Sequence, residues 1–229
     1  MKYIEIKTKD PHFNLAMEEY LLTSCKPEEE YFLLWQNSPS IIIGKHQNTL
    51  EEVNARYVEE NDIHVVRRMS GGGAVYHDLG NLNYSFIIGN GQQDIFDFKK
   101  FALPIAELLQ LHGVDAEISG RNDMTIAGKK FSGNAQFMRN RNLLHHGTLL
   151  FDSDLSRLEA ALHVSGDKIV SKGIKSVRSR VTNIREHLAE PMGIDEFWQK
   201  LAAHIASRND RWEPASLSEE DLAAINRLA

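Results

Sequence analysis

Apolar residues recur along the chain in two rhythms, one every second position and one every third or fourth, and these predict its strands and helices. Residues 2–6 (KYIEI) alternate and predict a short strand. Leu15, Tyr20, Leu21 and Leu22 follow at helical spacing, with Asn14 as the expected cap, Glu18 and Glu19 in the opening turns and Pro27 as the stop. Tyr31 to Trp35 and Ser40 to Ile43 are apolar runs split by Asn37-Ser38-Pro39, which predicts two strands and a turn. Leu50, Val53, Tyr57 and Val58 predict one helix over 50–61, and Ile63 to Met69 a strand. Beyond a glycine run, Ala74–His77 and Leu82–Ile88 are strand-like, and residues 97–112 form the clearest amphipathic helix, with Pro104 in its first turn or at a kink. Residues 114–151 predict short strands with glycine turns, 155–163 a short helix, 165–183 a polar, basic connection and 194–207 a further helix. Ser218-x-x-Asp221 predicts the cap of a last helix. Strands mixed with flanking helices imply an α/β or α+β sandwich around a mixed sheet.

Composition narrows the classes. The 229 residues are 42% hydrophobic and 25% charged, which fits one globular domain and excludes collagen-like, disordered and disulfide-scaffold chains. With 26 Lys and Arg against 32 Asp and Glu, the net charge is −6, against the basic surplus of a dedicated nucleic-acid binder. The N-terminus lacks a hydrophobic signal core, and no apolar run is long enough for a membrane span, so a cytoplasmic location is expected. Cys25 is the single cysteine, which rules out an intrachain disulfide and a cysteine-built zinc site.

Four stretches carry candidate chemistry. The first is Arg67-Arg68-Met69-Ser70-Gly71-Gly72-Gly73-Ala74-Val75-Tyr76-His77-Asp78. Consecutive glycines between strands cost backbone entropy but allow positive φ and close approach of N–H groups to a ligand. The run matches neither a Walker loop nor a dinucleotide fingerprint, and a bulged turn would use the same residues. The two arginines point to opposite faces, so one serves a site. The second is Gly120-Arg121-Asn122-Asp123 with Gly128-Lys129-Lys130-Phe131-Ser132-Gly133-Asn134-Ala135, where a lysine against a glycine-lined pocket can stabilise phosphate charge. A charged hairpin is the plainer alternative. The third is His145-His146-Gly147-Thr148-Leu149-Leu150; neighbouring histidines on a strand diverge, which argues against a paired metal site and leaves one of them structural. The fourth, Lys168 to Arg185, holds six basic residues and no acid, as a solvated loop, a flap over phosphate or a docking strip for an acidic partner.

Together RRMSGGGAVYHDLGNLNYSF, GRNDMTIAGKKFSGNAQ, HHGTLLFD and KSVRSRVTN, in that order, resemble the catalytic domain of the lipoate–protein ligase A family, from NLAMEEYLL near the start to the helix at 194–207. The resemblance implies the fold shared with biotin–protein ligases, a mixed sheet with a pocket at its edge. It implies a two-step reaction with ATP, Mg²⁺ and lipoate: formation of lipoyl-AMP, then transfer to a lysine of an acceptor protein. By motif, Lys130 is expected on the phosphate and carbonyl oxygens, with Asp123 supporting it or holding Mg²⁺. Arg68, the Ser70-Gly71-Gly72-Gly73 turn, His77, Asn81, Asn83, Asn122, Ser132, Gly133, His146, Gly147 and Thr148 are expected around the acyl-adenylate. Val75, Tyr76 and Leu149 are expected to form the acyl slot, and residues 165–183, with Lys172 and Arg178, the adenylate-binding loop.

Expected partners are apo lipoyl domains of 2-oxo acid dehydrogenase complexes or the glycine-cleavage H protein, without nucleic acid or membrane. Larger members continue into a small accessory domain, so 1–229 is expected to be the catalytic domain, working with a separate companion or as a shortened product. The alternatives are a transferase core or lipoyl-adenylate-binding module that needs an accessory subunit, and an octanoyltransferase. The last would need a cysteine in the second half, and none follows Cys25.

Overall fold

A computed structural model describes residues 1–120, 122–162 and 180–229, so Arg121, Lys172 and Arg178 lie outside the described residues. The strands are β1 (Lys2–Glu5), β2 (Glu30–Trp35), β3 (Ser40–Ile43), β4 (His64–Arg67), β5 (Val75–His77), β6 (Asn81–Ile88), β7 (Ala116–Ser119), β8 (Asp123–Ile126), β9 (Lys129–Arg139), β10 (Asn142–Leu150) and β11 (Glu213–Pro214). The helices are α1 (Pro11–Ser24), α2 (Thr49–Glu52), α3 (Ala55–Glu60), α4 (Phe98–Leu111), α5 (Leu155–Ala161), α6 (Ile194–Ser207) and α7 (Glu219–Leu228).

Eight strands form one mixed sheet in the order β11-β1-β2-β6-β10-β9-β8-β7, and β4-β3-β5 form a second, smaller sheet. The Asn37-Ser38-Pro39 turn therefore does more than reverse the chain, since it carries the path from the large sheet into the small one. The expected short strands of 114–151 include two long ones: β9 and β10 run 11 and 9 residues, paired antiparallel.

Alternation along the strands sorts the core into layers. Phe32 and Leu34 of β2, Leu82, Tyr84 and Phe86 of β6, and Leu143 and Leu149 of β10 face α4 and α6 in the largest apolar cluster. On the opposite face, Leu33, Trp35, Ile87 and Leu144 meet Leu15, Met17, Leu21 and Leu22 of α1, together with Ile42 of the small sheet. The small sheet's outer face, Ile41, Ile43 and Tyr76, packs with Leu158 and Ala161 of α5.

Three local expectations change. Helix α1 is capped by Asp10, whose side chain accepts from His12 N, with Pro11 opening the helix. Asn14 sits instead on the helix's buried side, where its amide donates to backbone carbonyls across the core. The helix expected over 50–61 is broken in two, because Asn54 caps a new start by accepting from Tyr57 N. Of the two places expected for Pro104, the first turn is excluded: it lies inside α4, at the loss of one backbone N–H bond. The Ser218–Asp221 capping box is present as expected.

Candidate active site

A cleft of about 140 Å³ opens between the α1-side face of the large sheet and the small sheet with its glycine turn. Twelve of the expected site residues line it: Arg68, Gly72, Gly73, Val75, His77, Asn83, Asn122, Lys130, Gly133, His146, Gly147 and Thr148. They come from β5, β6, β9, β10, the turn before β5 and, for Asn122, the turn before β8, so rigid strands hold most of the site.

The glycine turn is shaped by Arg68. Its guanidinium donates to Ile42 O, Ser70 Oγ, Gly71 O and Gly73 O. Gly72 takes a φ of +98°, which a side chain would strain. Burial lowers the Arg68 pKa to about 10, so the side chain stays charged at neutral pH. Arg68 is expected to complement phosphate; the acceptors it meets here are Ser70 Oγ and the carbonyls of Gly71, Gly73 and, in β3, Ile42. Arg67 points outward, donating to Gly44 O, Gln47 O and Thr49 Oγ1, as the alternation argument requires.

Lys130 stands at the cleft wall, its Nζ 2.7 Å from Asp123 Oδ1, with both side chains about two-fifths exposed. A Cβ on Gly133 would lie 2.8 Å from that Nζ, so the missing side chain is what lets the ammonium lie across the strand. Of the two roles open to Asp123, the ion pair favours the lysine partner. Among the described residues no group of three or more His, Cys, Asp and Glu side chains is placed to hold a metal. A lone carboxylate already engaged by a lysine does not make a resident Mg²⁺ site, so magnesium is treated as part of the nucleotide substrate. Thr182 N donates to Lys130 O, and Val181 bridges to the same residue.

Behind the cleft runs a buried polar chain. His146 Nε2 lies 2.6 Å from Ser70 Oγ, and its Nδ1 lies 3.0 Å from both oxygens of Glu18, a residue only 1% exposed. Glu18 also accepts from Ser85, which in turn accepts from Trp35 Nε1. The glycine turn is thus tied to α1 through β10. His145 points the other way, stacked on Phe101 at 4.5 Å, and is the structural histidine of the pair.

Some expectations shift. Tyr76 and Leu149 do not line the cleft: alternation sends Tyr76 to the small sheet's outer face and Leu149 to the α4 side. Ser70, Asn81 and Ser132 are buried behind the wall as partners of lining residues, bonded to His146, Asn83 and Asn134. Gly71 is part of the turn without facing the cleft. Apolar lining comes from Leu15, Trp35, Ile42, Ala74 and Ala135, which a composition reading assigns to core or passes over. Their signal lies in strand alternation, which puts Trp35 and Ile42 on the face that carries Asn83 and Val75.

The family model for the lipoyl protein ligase A/B catalytic domain matches residues 10–206. A lipoate–protein ligase of Bacillus subtilis is 52% identical over 222 residues, which is 96% of this chain and 67% of the relative. Lipoate–protein ligase 1 of Staphylococcus aureus is 48% identical over all of this chain and 70% of its own. Among solved structures, a bi-partite lipoate protein ligase of Thermoplasma acidophilum, studied with its E2 lipoyl domain, superposes with a TM-score of 0.87 at 30% identity, covering 99% of this chain and 91% of that one. A lipoate–protein ligase A bound with ATP superposes at 0.84 with 27% identity, covering 99% and 93%. The chain belongs to the lipoyl protein ligase A/B catalytic-domain family, and its close relatives are lipoate–protein ligases.

Proposed function

We propose that the chain is an ATP-dependent lipoate–protein ligase. A lipoate carboxylate oxygen attacks the α-phosphorus of ATP, forming lipoyl-AMP as pyrophosphate leaves. A lysine amine of an acceptor lipoyl domain then attacks the acyl carbon, and AMP leaves as the amide forms and the amine loses a proton.

The observation that carries this reading is the placement of Lys130. Its ammonium is held by Asp123 over Gly133, in the same cleft as the Gly72-Gly73 backbone. Step one gathers charge on α-phosphate oxygens, and a cation fixed in advance stabilises such charge without reorganising. In step two the same ammonium can polarise the acyl carbonyl. Val75, Trp35, Ile42 and Leu15 offer an apolar lining for the acyl chain. Asn122 and Thr148 stand beside the lysine's strand, with Thr148 Oγ1 3.5 Å from Gly133 N, and would bound the linkage.

Thiol-based acyl transfer has no support here. Cys25 is buried away from the cleft, and desolvation pushes its pKa up to about 12, which disfavours the thiolate.

The test is the intact mass of apo lipoyl domains, with an apo glycine-cleavage H protein alongside, after incubation with the chain. One set receives lipoate, ATP and Mg²⁺, and the other preformed lipoyl-AMP. A lipoyl mass shift in both sets is expected. A shift with lipoyl-AMP alone would confine the chain to the second step, and no shift in either would overturn the reading.

A further inference from the structure

His77 carries no role in the mechanism above, yet its surroundings fix its chemistry. The side chain is buried, lines the cleft, and meets Trp35 edge-on at 6.1 Å. Its Nδ1 lies 3.1 Å from Asn37 Nδ2, and its Nε2 is buried with no partner among the described residues.

The hydrogen on this ring can be deduced from a chain of amides. Thr8 O and Gln36 O are carbonyls and can only accept, so Asn14 must present Nδ2 to them. The same Nδ2 lies 2.9 Å from Asn37, which must answer with Oδ1. Asn14 Oδ1 is without a partner among the described residues, and reversing this amide would set that one oxygen against both carbonyls. Asn37 then has only its Nδ2 left to offer His77. The ring must accept at Nδ1, and its single hydrogen sits on the buried Nε2. Burial first, then the nearby charges of Arg68 and His146, lower the His77 pKa to about 3, so the ring stays neutral. Asn83 lies in the same cleft, its amide bonded to that of Asn81, and its Nδ2 and Asn81 Oδ1 are both left without a partner among the described residues. A buried donor without a partner is costly, and a bound acceptor atom would relieve it.

We infer that Asn14 and Asn37 are positioning residues that lock His77 as an Nε2–H donor, and that this donor, with Asn83, holds one uncharged acceptor atom of the bound substrate. Neutral donors suit a neutral acceptor, a nucleobase ring nitrogen or an acyl oxygen or sulfur, while Lys130 serves the charged centre. The inference rests on the functional reading above only for the identity of the ligands; the tautomer is a property of the free protein.

The experiment is long-range ¹H–¹⁵N NMR of the histidine rings in the full chain, with lipoate and ATP added in separate titrations. Wild-type His77 is expected as the Nε2–H tautomer, with its Nε2 proton moving when one of the two compounds binds. Asn37→Asp keeps the shape but can only accept from the ring. It is expected to move the hydrogen to Nδ1 and to weaken that same compound about tenfold while sparing the other. Which compound responds tells whether the acceptor is on the nucleotide or on the acyl group. An Nδ1–H tautomer in the wild type overturns the relay. A ring proton that answers to neither bound compound overturns the donor role, and this arm needs no variant to fold. If Asn37→Asp moves the hydrogen without changing either affinity, the donor role is likewise overturned. Failure of the wild type to bind both compounds overturns the functional reading along with the ligand half, while the tautomer result stands by itself.

Discussion

On one face of the large sheet, Leu82, Tyr84 and Phe86 of β6 pack against α4 and α6; on the other face of the same strand stand Asn81, Asn83 and Ser85. All six are buried. The two faces therefore differ in chemistry and not in shielding. A buried apolar side is favoured by burial itself, whereas each polar group on the opposite side must be matched by a partner. That matching is extensive but incomplete: Glu18, His146 and Ser70 satisfy one another, while His77 Nε2 and Asn83 Nδ2 have no partner among the described residues. His77 and Asn83 are both among the residues that line the cleft. The α4-side face serves packing and the α1-side face packing and chemistry together, and substitutions on the two should separate the readouts.

The largest effects test that separation directly. Phe101→Ala removes a ring stacked on His145 and packed on Phe86, and should cost about 3–5 kcal/mol of stability. Denaturant titration would show it, while the activity of the remaining folded fraction should be near wild type. Lys130→Ala should do the reverse. Adenylate formation should fall about 10²–10³-fold with little change in unfolding midpoint, since the side chain is exposed and its ion pair adds little. If Phe101→Ala lowered kcat per folded molecule, or Lys130→Ala kept full turnover, the division between faces would be wrong.

Gly133→Ala sharpens the same comparison at smaller scale. The new methyl meets only the flexible end of Lys130, so the fold should lose about 0.5 kcal/mol or less. Displacing the ammonium by an ångström or so should lower kcat about 10–100-fold.

Protonation probes both faces at once. His77 on the cleft face has its pKa lowered to about 3, and His145 on the apolar face is also held well below the usual histidine value, both chiefly by burial. The unfolded state therefore binds more protons between the folded and unfolded values. Stability should be complete above pH 6.5, the ordinary value, and should fall as the pH drops toward 3. Each histidine can contribute a slope of at most about 1.4 kcal/mol per pH unit. Melting curves over that range, in the wild type and in His145→Gln, should differ in slope; equal slopes would remove His145 as a source.

Much of this division was legible in the sequence, because strand period is exact where helix caps are not. Alternation alone separated Arg67 from Arg68 and His145 from His146, and motif order brought twelve expected residues to one cleft. The same rule, applied to Tyr76, would have placed it opposite Val75 and out of the acyl lining. Asn14 was misleading because asparagine favours helix starts, and only the tertiary fold shows its amide crossing to residues 36 and 37. Glu18 was visible only as a first-turn acid. Its pairing with His146, 128 positions away, depends on α1 lying across β10, which no local pattern encodes.

The smallest effect compares the two neighbouring arginines. Both donate to backbone carbonyls and both tie a loop to β3 or its exit, yet Arg68 is buried and Arg67 is exposed. Water can replace the partners of an exposed donor, so Arg67→Ala should cost about 1 kcal/mol or less. Replacing Arg68, whose own side chain is buried, would leave Ile42 O, Gly71 O and Gly73 O without their donors. Arg67→Ala should therefore leave the KM for both lipoate and ATP unchanged. A raised KM for either would mean that the loop around Lys45–Thr49, which Arg67 gathers, shapes the cleft from outside, and the functional face would extend beyond the strands that line it.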